Sequence, residues 1–510
     1  MIKVVHKLAS WYLKRRIEQV ERFVAHPEEV QQEWFDRLIQ AGLHTAWGRE
    51  YGYADIRSIE DFRRQVPVSS YEQLFPWIER AIQGESDVLW PGRIHWFAKS
   101  SGTTNDKSKF IPVTQEALDE CHYKAGQDML ALYFHQRPES RLFTGKSLSI
   151  GGSHAIHPLN RHARYGDVSA VMLENLPVFY ELIRAPRKQV ALMPDWEQKL
   201  EAMVREVMYE DITAIVGVPT WTLVLIHRML EKLGSRTHNL LDIWPNLELY
   251  CHGGVSFAPY REQFEALIPS PSMSYMDCYN ASEGFFGLQD DLSRRDLLLL
   301  LDYGIYYEFI PLESLGDPHP PACSLAEVET GRTYAIAIST NAGLWRYLIG
   351  DTIVFTSRYP FRFRVAGRTR HFINAFGEEL MVENAETALS EASRQTGAQI
   401  ANFTAAPIYF QEGKRGGHEW LIEFARMPDD LGTFTRMLDQ MLRQLNSDYD
   451  AKRQGDLALG MPVVRVMPEG TFHTWLKRRG KLGGQHKVPR LFNDRSYVED
   501  ILGMLTPSNP

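Results

Sequence analysis

Apolar residues recur near a helical period at the start of the chain: Leu8, Trp11, Ile17, Val20 and Val24, then Val30, Trp34, Leu38 and Ile39. The spacing predicts an amphipathic helical pair, with Pro27 in the first turn of the second helix, where a missing N–H breaks no hydrogen bond. From Arg93 to Ser293 short β-like runs (Ser147 to Ile150, Ala214 to Val218, Leu247 to His252, Met273 to Tyr279) are separated by helical segments such as Thr220 to Leu233. That alternation predicts an α/β sheet. Between Tyr303 and Val365 the runs close up: Tyr306 to Ile310, Leu325 to Glu329, Tyr334 to Ser339, Trp345 to Ile349 and Thr352 to Phe355, with Gly331 in a turn. They predict a small antiparallel β-subdomain.

After Gly367 the order is strand (His371 to Ala375), helix (Asn384 to Arg394), two strands flanking the Gly413 to Gly417 turn, helix (Leu431 to Leu445), strand (Pro462 to Met467) and helix. Phe434, Leu438, Met441, Leu442 and Leu445 give the long helix one apolar face, so this segment carries a core of its own and can move as a unit. The expected division is an N-terminal domain at 1–366, with its β-subdomain at 303–365, a joint at 366–370 and a C-terminal domain at 371–510.

Composition narrows the function. With 56 Lys and Arg against 64 Asp and Glu the net charge is −8, which argues against nucleic acid or an anionic membrane as partner. The 25 Phe, 22 Tyr and 12 Trp suit a large core and deep pockets. Cys121, Cys251, Cys278 and Cys323 form no CxxC pair, so neither a disulfide framework nor a thiolate zinc site is indicated, and a reducing cytoplasm is the expected location. Lys3, Lys7, Lys14, Arg15 and Arg16 interrupt the first apolar stretch, so a secretion signal is not expected there. The longest uncharged stretch, Ile212 to Ile226, is broken by Gly217 and Pro219 and falls short of a bilayer span, so no membrane is expected.

Four segments carry candidate chemistry. Ser100, Ser101, Gly102, Thr103 and Thr104 form a loop of small hydroxylated residues, followed by Lys107 and Lys109. Such a loop brings backbone N–H groups, hydroxyls and an ammonium to one anion, as a polyphosphate requires, although the glycine-lysine ending of a P-loop is missing. Tyr279 to Gly284 and Tyr347 to Asp351 each end a predicted strand, and Gly367-Arg368 opens the joint. Each alone is also explained as a turn at a strand end.

In this order, the run SSGTTNDKSKFIP, the pair Gly253-Gly254, YNASEG, YLIGD, GRTRHFINAFGEEL and the C-terminal GTF…GQHKVPR resemble the adenylate-forming superfamily of acyl-CoA ligases, peptide-synthetase adenylation domains and luciferases. The chain most resembles the auxin-responsive family, plant acyl-acid amido synthetases and their bacterial relatives, over nearly its whole length. The resemblance implies an α/β fold: a large N-terminal adenylate-forming domain with mixed sheets and a small β-barrel subdomain, then a smaller mobile α+β C-terminal domain. It also implies the reaction. A small carboxylic acid is activated with ATP and Mg²⁺ to an acyl adenylate, and an amine, usually of an amino acid, then displaces AMP. The alternative acceptor is the thiol of coenzyme A or of a carrier.

The resemblance implies the roles by position. Ser100 to Thr104 would cradle the β- and γ-phosphates with Lys109 nearby. Tyr279 would lie against adenine beside Gly253 and Gly254, whose missing side chains allow close approach, and Ser282 would border the nucleotide. Glu283 would hold Mg²⁺, Asp351 would accept hydrogen bonds from the ribose hydroxyls, Arg368 would add a nucleotide contact, and Lys487 would bind the α-phosphate and the incoming carboxylate. Val218, Trp221 and Thr222 line the acid's site, where core packing is an equal reading. Asp106 stands where the family carries a second glycine, and Arg370 where relatives often have Asp or Lys. A serine hydrolase built on Gly151-Gly152-Ser153 lacks the last glycine of the nucleophile elbow.

Overall fold

The computed structural model describes residues 15–100, 109–150, 156–234, 239–255, 257, 260–315, 317, 319–368, 372–410, 415–456, 458–479 and 488–505. The N-terminal helical pair covers 15–25 and Pro27–Gly42, with Pro27 at its expected place; Leu8 and Trp11 lie outside the described residues. The second helix buries Val30, Trp34, Phe35 and Leu38 together with Gln31. That buried amide is fully used, donating to the carbonyls of Leu301 and Ile305 and accepting from Tyr307 N–H. The helix is thereby fastened to the edge of the main sheet.

Among the described residues that sheet has eleven strands. One half is parallel: Arg184–Ala185, Lys146–Ile150, Ile212–Gly217, Leu249–Gly253 and Ser274–Ala281 pair in that spatial order. Their apolar runs are covered by helices, as buried parallel strands require. Trp196–Val207, Pro219–Leu233 and Arg261–Leu267 supply part of that cover through Val204, Leu223, Ile226 and Phe264. The other half is antiparallel: Gly284–Leu288, Leu297–Leu299, Phe361–Arg368, Tyr347–Arg358, Thr333–Thr340 and Ile305–Pro311 follow in space. Ser274–Ala281 is where direction changes.

Antiparallel strands run through 303–365 as expected except at Leu325 to Glu329, and among the described residues no strand pairing closes them into a separate barrel. Phe361–Arg368 pairs with Leu297–Leu299, which joins them to the main sheet. The half curls instead. Tyr347–Arg358 lies four strand spacings from Ser274–Ala281, about 19 Å in a flat sheet, yet Tyr279 and Asp351 on those two strands touch through a hydrogen bond.

Two local readings also change. Leu325 to Glu329 is not a strand. Ser324 and Glu327 form a capping box that starts a 3-10 turn at Leu325–Glu327. The two strands expected from Trp345 to Phe355 are one, Tyr347–Arg358, because Gly350 at φ +96° lies in a bulge rather than a break: Ala337 pairs with Leu348 and Ala335 with Thr352.

In the C-terminal segment Phe372–Ile373 pairs only with Leu380–Met381, while Gln399–Ile408, Gly417–Arg426 and Val463–Met467 form their own sheet, the last pair parallel. The helices Val382–Thr396 and Leu431–Leu445 pack on it through Ala388, Leu389, Phe434, Leu438 and Leu442. This segment touches the parallel half directly: Tyr260 Oη donates to Ala375 O at 2.8 Å, and Asn374 Nδ2 to Gly254 O at 3.3 Å.

Candidate active site

The carboxyl ends of parallel strands are where a sheet of this kind presents a crevice, most open where strand direction changes. Three of the sequence-derived segments are at that edge. Val218 follows Ile212–Gly217, Gly253-Gly254 ends Leu249–Gly253, and Ser282-Glu283 turns from Ser274–Ala281 into Gly284–Leu288. Residues 151–155, which follow Lys146–Ile150, lie outside the described residues, Ser153 with them.

The strands that flank the hydroxylated loop, Trp96–Ser100 and Lys109–Val113, pair antiparallel as the two arms of a β-hairpin. Ser100 closes Trp96–Ser100 and pairs directly with Lys109, the first residue of Lys109–Val113. Ser101, Gly102, Thr103, Thr104, Asp106 and Lys107 lie outside the described residues. From the hairpin's base Lys109 Nζ donates to Tyr347 Oη at 3.3 Å, and Tyr347 Oη donates to Glu283 Oε1 at 3.2 Å. Tyr71 steadies the base, its Oη accepting from Phe110 N–H at 2.8 Å. Lysine, phenol and carboxylate thus form a relay between the strand Lys109–Val113 and the turn at Ser282-Glu283.

Burial pushes the Glu283 carboxyl above its ordinary range, Asp351 and Glu379 push the same way, and Lys109 opposes them. Burial, reinforced by Glu283, also holds the Tyr347 phenol well above its usual value, so it stays protonated and donates. A buried carboxylate that resists ionising gains most from a cation brought beside it. Among the described residues no group of three or more His, Cys, Asp or Glu could hold a metal alone. One carboxylate does fit magnesium, which keeps several waters and takes its remaining ligands from phosphate oxygens.

The second contact is Tyr279 to Asp351. The phenol donates to Oδ2 at 2.5 Å, and its ring is wedged against Phe286 and Phe363 with centroids at 5.1 and 6.0 Å. Asp351 belongs to the bulge around Gly350, where a Cβ would meet nothing within 4 Å, and bulges re-aim side chains beside active sites. Across the ladder Asp351 faces the backbone of Arg368; the Arg368 side chain, Arg370 and Lys487 are outside what the structure describes.

The glycine pair has a different rationale from the expected one at its first position. A Cβ on Gly253 would stand 2.6 Å from Cys278 O and 2.8 Å from its Sγ, so the neighbouring strand, not a ligand, requires glycine there. Gly254 turns at φ +78°, and its Cβ position is 3.4 Å from Val218 Cγ2, which puts Val218 beside the pair. Trp221 and Thr222 are buried on the helix Pro219–Leu233. Thr222 Oγ1 donates to Val218 O at 3.0 Å and is approached by Tyr250 Oη at 3.3 Å, so its hydroxyl is committed to the core.

Tyr347 is a site residue that sequence reasoning misses, since it gives a role to Asp351 of YLIGD and none to the tyrosine. Glu379 is another. It follows a turn in which Asn374 Oδ1 accepts its N–H, and its charge acts on Glu283 from the C-terminal segment.

Family models match residues 16–273 as GH3 family N-terminal domain, 298–368 as GH3 family central domain and 383–496 as GH3 family C-terminal domain. Among curated relatives, the indole-3-acetic acid-amido synthetase GH3.8 of Oryza sativa subsp. indica is 24% identical over 95% of this chain and 91% of its own length. The 4-substituted benzoates-glutamate ligase GH3.12 of Arabidopsis thaliana is 23% identical over 93% of this chain and 94% of its own. Of solved structures, AtGH3.15 acyl acid amido synthetase in complex with 2,4-DB superposes with a TM-score of 0.63 at 16% identity, over 96% of each chain. A 2-hydroxyisobutyryl-CoA ligase in complex with 2-HIB-AMP and CoA gives 0.54 at 15% identity, over 94% of this chain and 93% of that one. These two likenesses establish the shared fold.

Proposed function

This chain belongs to the GH3 family, and from that premise we propose that it is an ATP-dependent ligase that adenylates a small carboxylic acid and transfers the acyl group to an amine, with an amino acid as acceptor. The observation that carries the reading is convergence: Lys109, Tyr347 and Glu283 form one hydrogen-bonded relay, and Tyr279 and Asp351 a second contact, although the five come from three distant stretches. Relatives named as amido synthetases and an amino-acid ligase, matched nearly end to end, support the reaction class.

In the first step a carboxylate oxygen bonds to the α-phosphorus of ATP while the bond to the bridging oxygen breaks, and pyrophosphate leaves with that electron pair. The approach of an anion to a polyanion must be offset by cations and aligned donors in a dry site. Ser100 to Thr104 and Lys109 hold the β- and γ-phosphates. Tyr279, Ser282, Gly253 and Gly254 flank the base, Asp351 accepts from the ribose hydroxyls, and Arg368 adds a nucleotide contact. Magnesium, when bound, supplies charge neutralisation at the phosphate oxygens, and Glu283 is the residue that would hold it. Lys487, carried by the C-terminal domain (371–510) that pivots at 366–370, meets the α-phosphate and the carboxylate. Val218, Trp221 and Thr222 bound the acid's end of the site.

In the second step the amine nitrogen attacks the acyl carbon and AMP leaves. The four cysteines are unpaired, which suits a reducing cytoplasm. Among the described residues no helix is long and apolar enough to cross a membrane.

The deciding experiment is acid-dependent exchange of labelled pyrophosphate into ATP across a carboxylic acid library. Lys487→Ala and Glu283→Ala should each lower exchange by about two orders of magnitude or more. Product analysis with amino acids or coenzyme A then identifies the acceptor: amide supports the proposal, and thioester reassigns the second step. Absence of exchange with every acid would overturn the adenylation reading.

A further inference from the structure

Lys452 lies on the short helix Ser447–Arg453 of the C-terminal segment and is only 6% exposed. Its Nζ sits 4.9 Å from the centre of the Trp221 ring, on the opposite side of the joint. Among the described residues no carboxylate oxygen lies within ion-pair distance of that ammonium. Its neighbour makes the contrast plain: Arg453 is bound by both oxygens of Asp439 at 2.7 and 2.8 Å.

An indole face attracts a cation, but it brings no negative charge to a lysine with only 6% of its surface exposed, and an anion would supply it. The surroundings are shaped for the lysine. Gly377 turns at φ +84°, and a Cβ there would stand 3.4 Å from Lys452 Cε. The same turn places Asn374 on Gly254 and Glu379 within electrostatic reach of Glu283, so Lys452 lies next to the candidate site.

We propose that Lys452 binds the α-carboxylate of the acceptor amino acid. The inference rests on the reading that the second substrate is an amino acid. Two points favour this anion over the acyl acid's own carboxylate. The activated carboxylate loses its charge on becoming an acyl adenylate, whereas the acceptor keeps its α-carboxylate throughout. In addition, the Lys452–Trp221 contact joins two parts of the chain, so it exists only when the C-terminal segment is docked, the arrangement in which a second substrate can be enclosed. Lys452 is a specificity residue in this view: it selects amines that carry a carboxylate.

The test uses the full chain with Lys452→Met, which keeps the aliphatic stem, and Lys452→Arg, which keeps the charge. Three measurements are compared: pyrophosphate exchange, amide formation with amino acids, and amide formation with the corresponding amino acid carboxamides. Lys452→Met should raise KM for amino acids roughly tenfold or more, while KM for the carboxamides and exchange stay within about twofold. Lys452→Arg should restore most of the lost affinity. Exchange also reports that each variant is folded. Equal effects on amino acids and carboxamides, a rise in KM for the acyl acid, or loss of exchange in both variants would each overturn the assignment. Failure of exchange in the unaltered chain would instead strike the adenylation reading.

Discussion

Asp351→Asn separates two roles that one carboxylate can play. Asp351 is 7% exposed and accepts the Tyr279 phenol at 2.5 Å. Asparagine keeps the shape and one acceptor oxygen but removes the charge. A hydrogen bond to a charged group is worth about 1.5–3 kcal/mol against about 0.5–1.5 kcal/mol for a neutral one, so each bond loses about 1–1.5 kcal/mol. If both ribose hydroxyls donate to Asp351, kcat/KM for ATP should fall about 30- to 150-fold in pyrophosphate exchange. With 2′-deoxy-ATP only one such bond remains to be weakened, and the same substitution should cost about 5- to 12-fold. The weakened Tyr279 bond affects both nucleotides equally and cancels in the comparison. An identical penalty for ATP and 2′-deoxy-ATP would refute the ribose contact and leave Asp351 as an anchor for Tyr279.

Because burial raises the Glu283 carboxyl, its charged form is disfavoured in the folded chain, so its ionisation subtracts stability as pH rises from the unfolded-state value through the raised one. Magnesium needs that charged form; Mg²⁺-ATP affinity, read by thermal shift, should therefore weaken as pH falls through the raised range, and Glu283→Gln should remove this dependence. Arg346 and Glu308, 4% and 1% exposed, pair at 2.7 and 3.0 Å, and Arg63 reaches the same carboxylate at 3.2 Å. Arg346→Met should cost about 3 kcal/mol in urea unfolding, with Arg63 limiting the loss, and adding Glu308→Leu should recover much of it; no recovery would mean the pair does more than neutralise itself. Gly253→Ala drives a Cβ to 2.6 Å from the Cys278 carbonyl and should cost about 1–3 kcal/mol, whereas a change under about 0.5 kcal/mol would show that the two strands can separate freely.

Apolar periodicity was enough to place most elements, because a run such as Ile212–Gly217 or the striped helix Leu431–Leu445 has one way to bury its side chains. It failed where a polar contact decided. At Leu325 the Ser324 and Glu327 spacing outweighs the apolar run, and that signal was present in the sequence. At Gly350 the reading of a glycine as a strand break hides a bulge, which depends on the partner strand and so has no local signature. Tyr347 and Asp351 stand four apart on one strand, a spacing that puts alternate residues on a common face, so the phenol could have been paired with the aspartate in advance. The reason for Gly253 could not: Cys278 meets it only through strand order.

Two features of the fold, neither local, gather the candidate site. The change of strand direction at Ser274–Ala281 sets Glu283 in the turn at the carboxyl ends of the parallel strands. The curl of the antiparallel half then carries Tyr347 and Asp351 across four strand spacings to meet Glu283 and Tyr279. A separately closed barrel would spend its strand edges on itself, whereas a curled continuation of the main sheet keeps both halves rigidly linked through Leu297–Leu299. Groups proposed to share one triphosphate would gain from that linkage, since a displacement of about 1 Å in a catalytic contact can cost about a hundredfold in rate. Among the described residues the C-terminal segment has no hydrogen-bonded strand in this sheet and meets it through contacts such as Tyr260 to Ala375, Asn374 to Gly254 and Lys452 to Trp221. Rigid linkage therefore belongs to the groups assigned to the nucleotide, and the separable contacts to those assigned to the exchange of one substrate for the next.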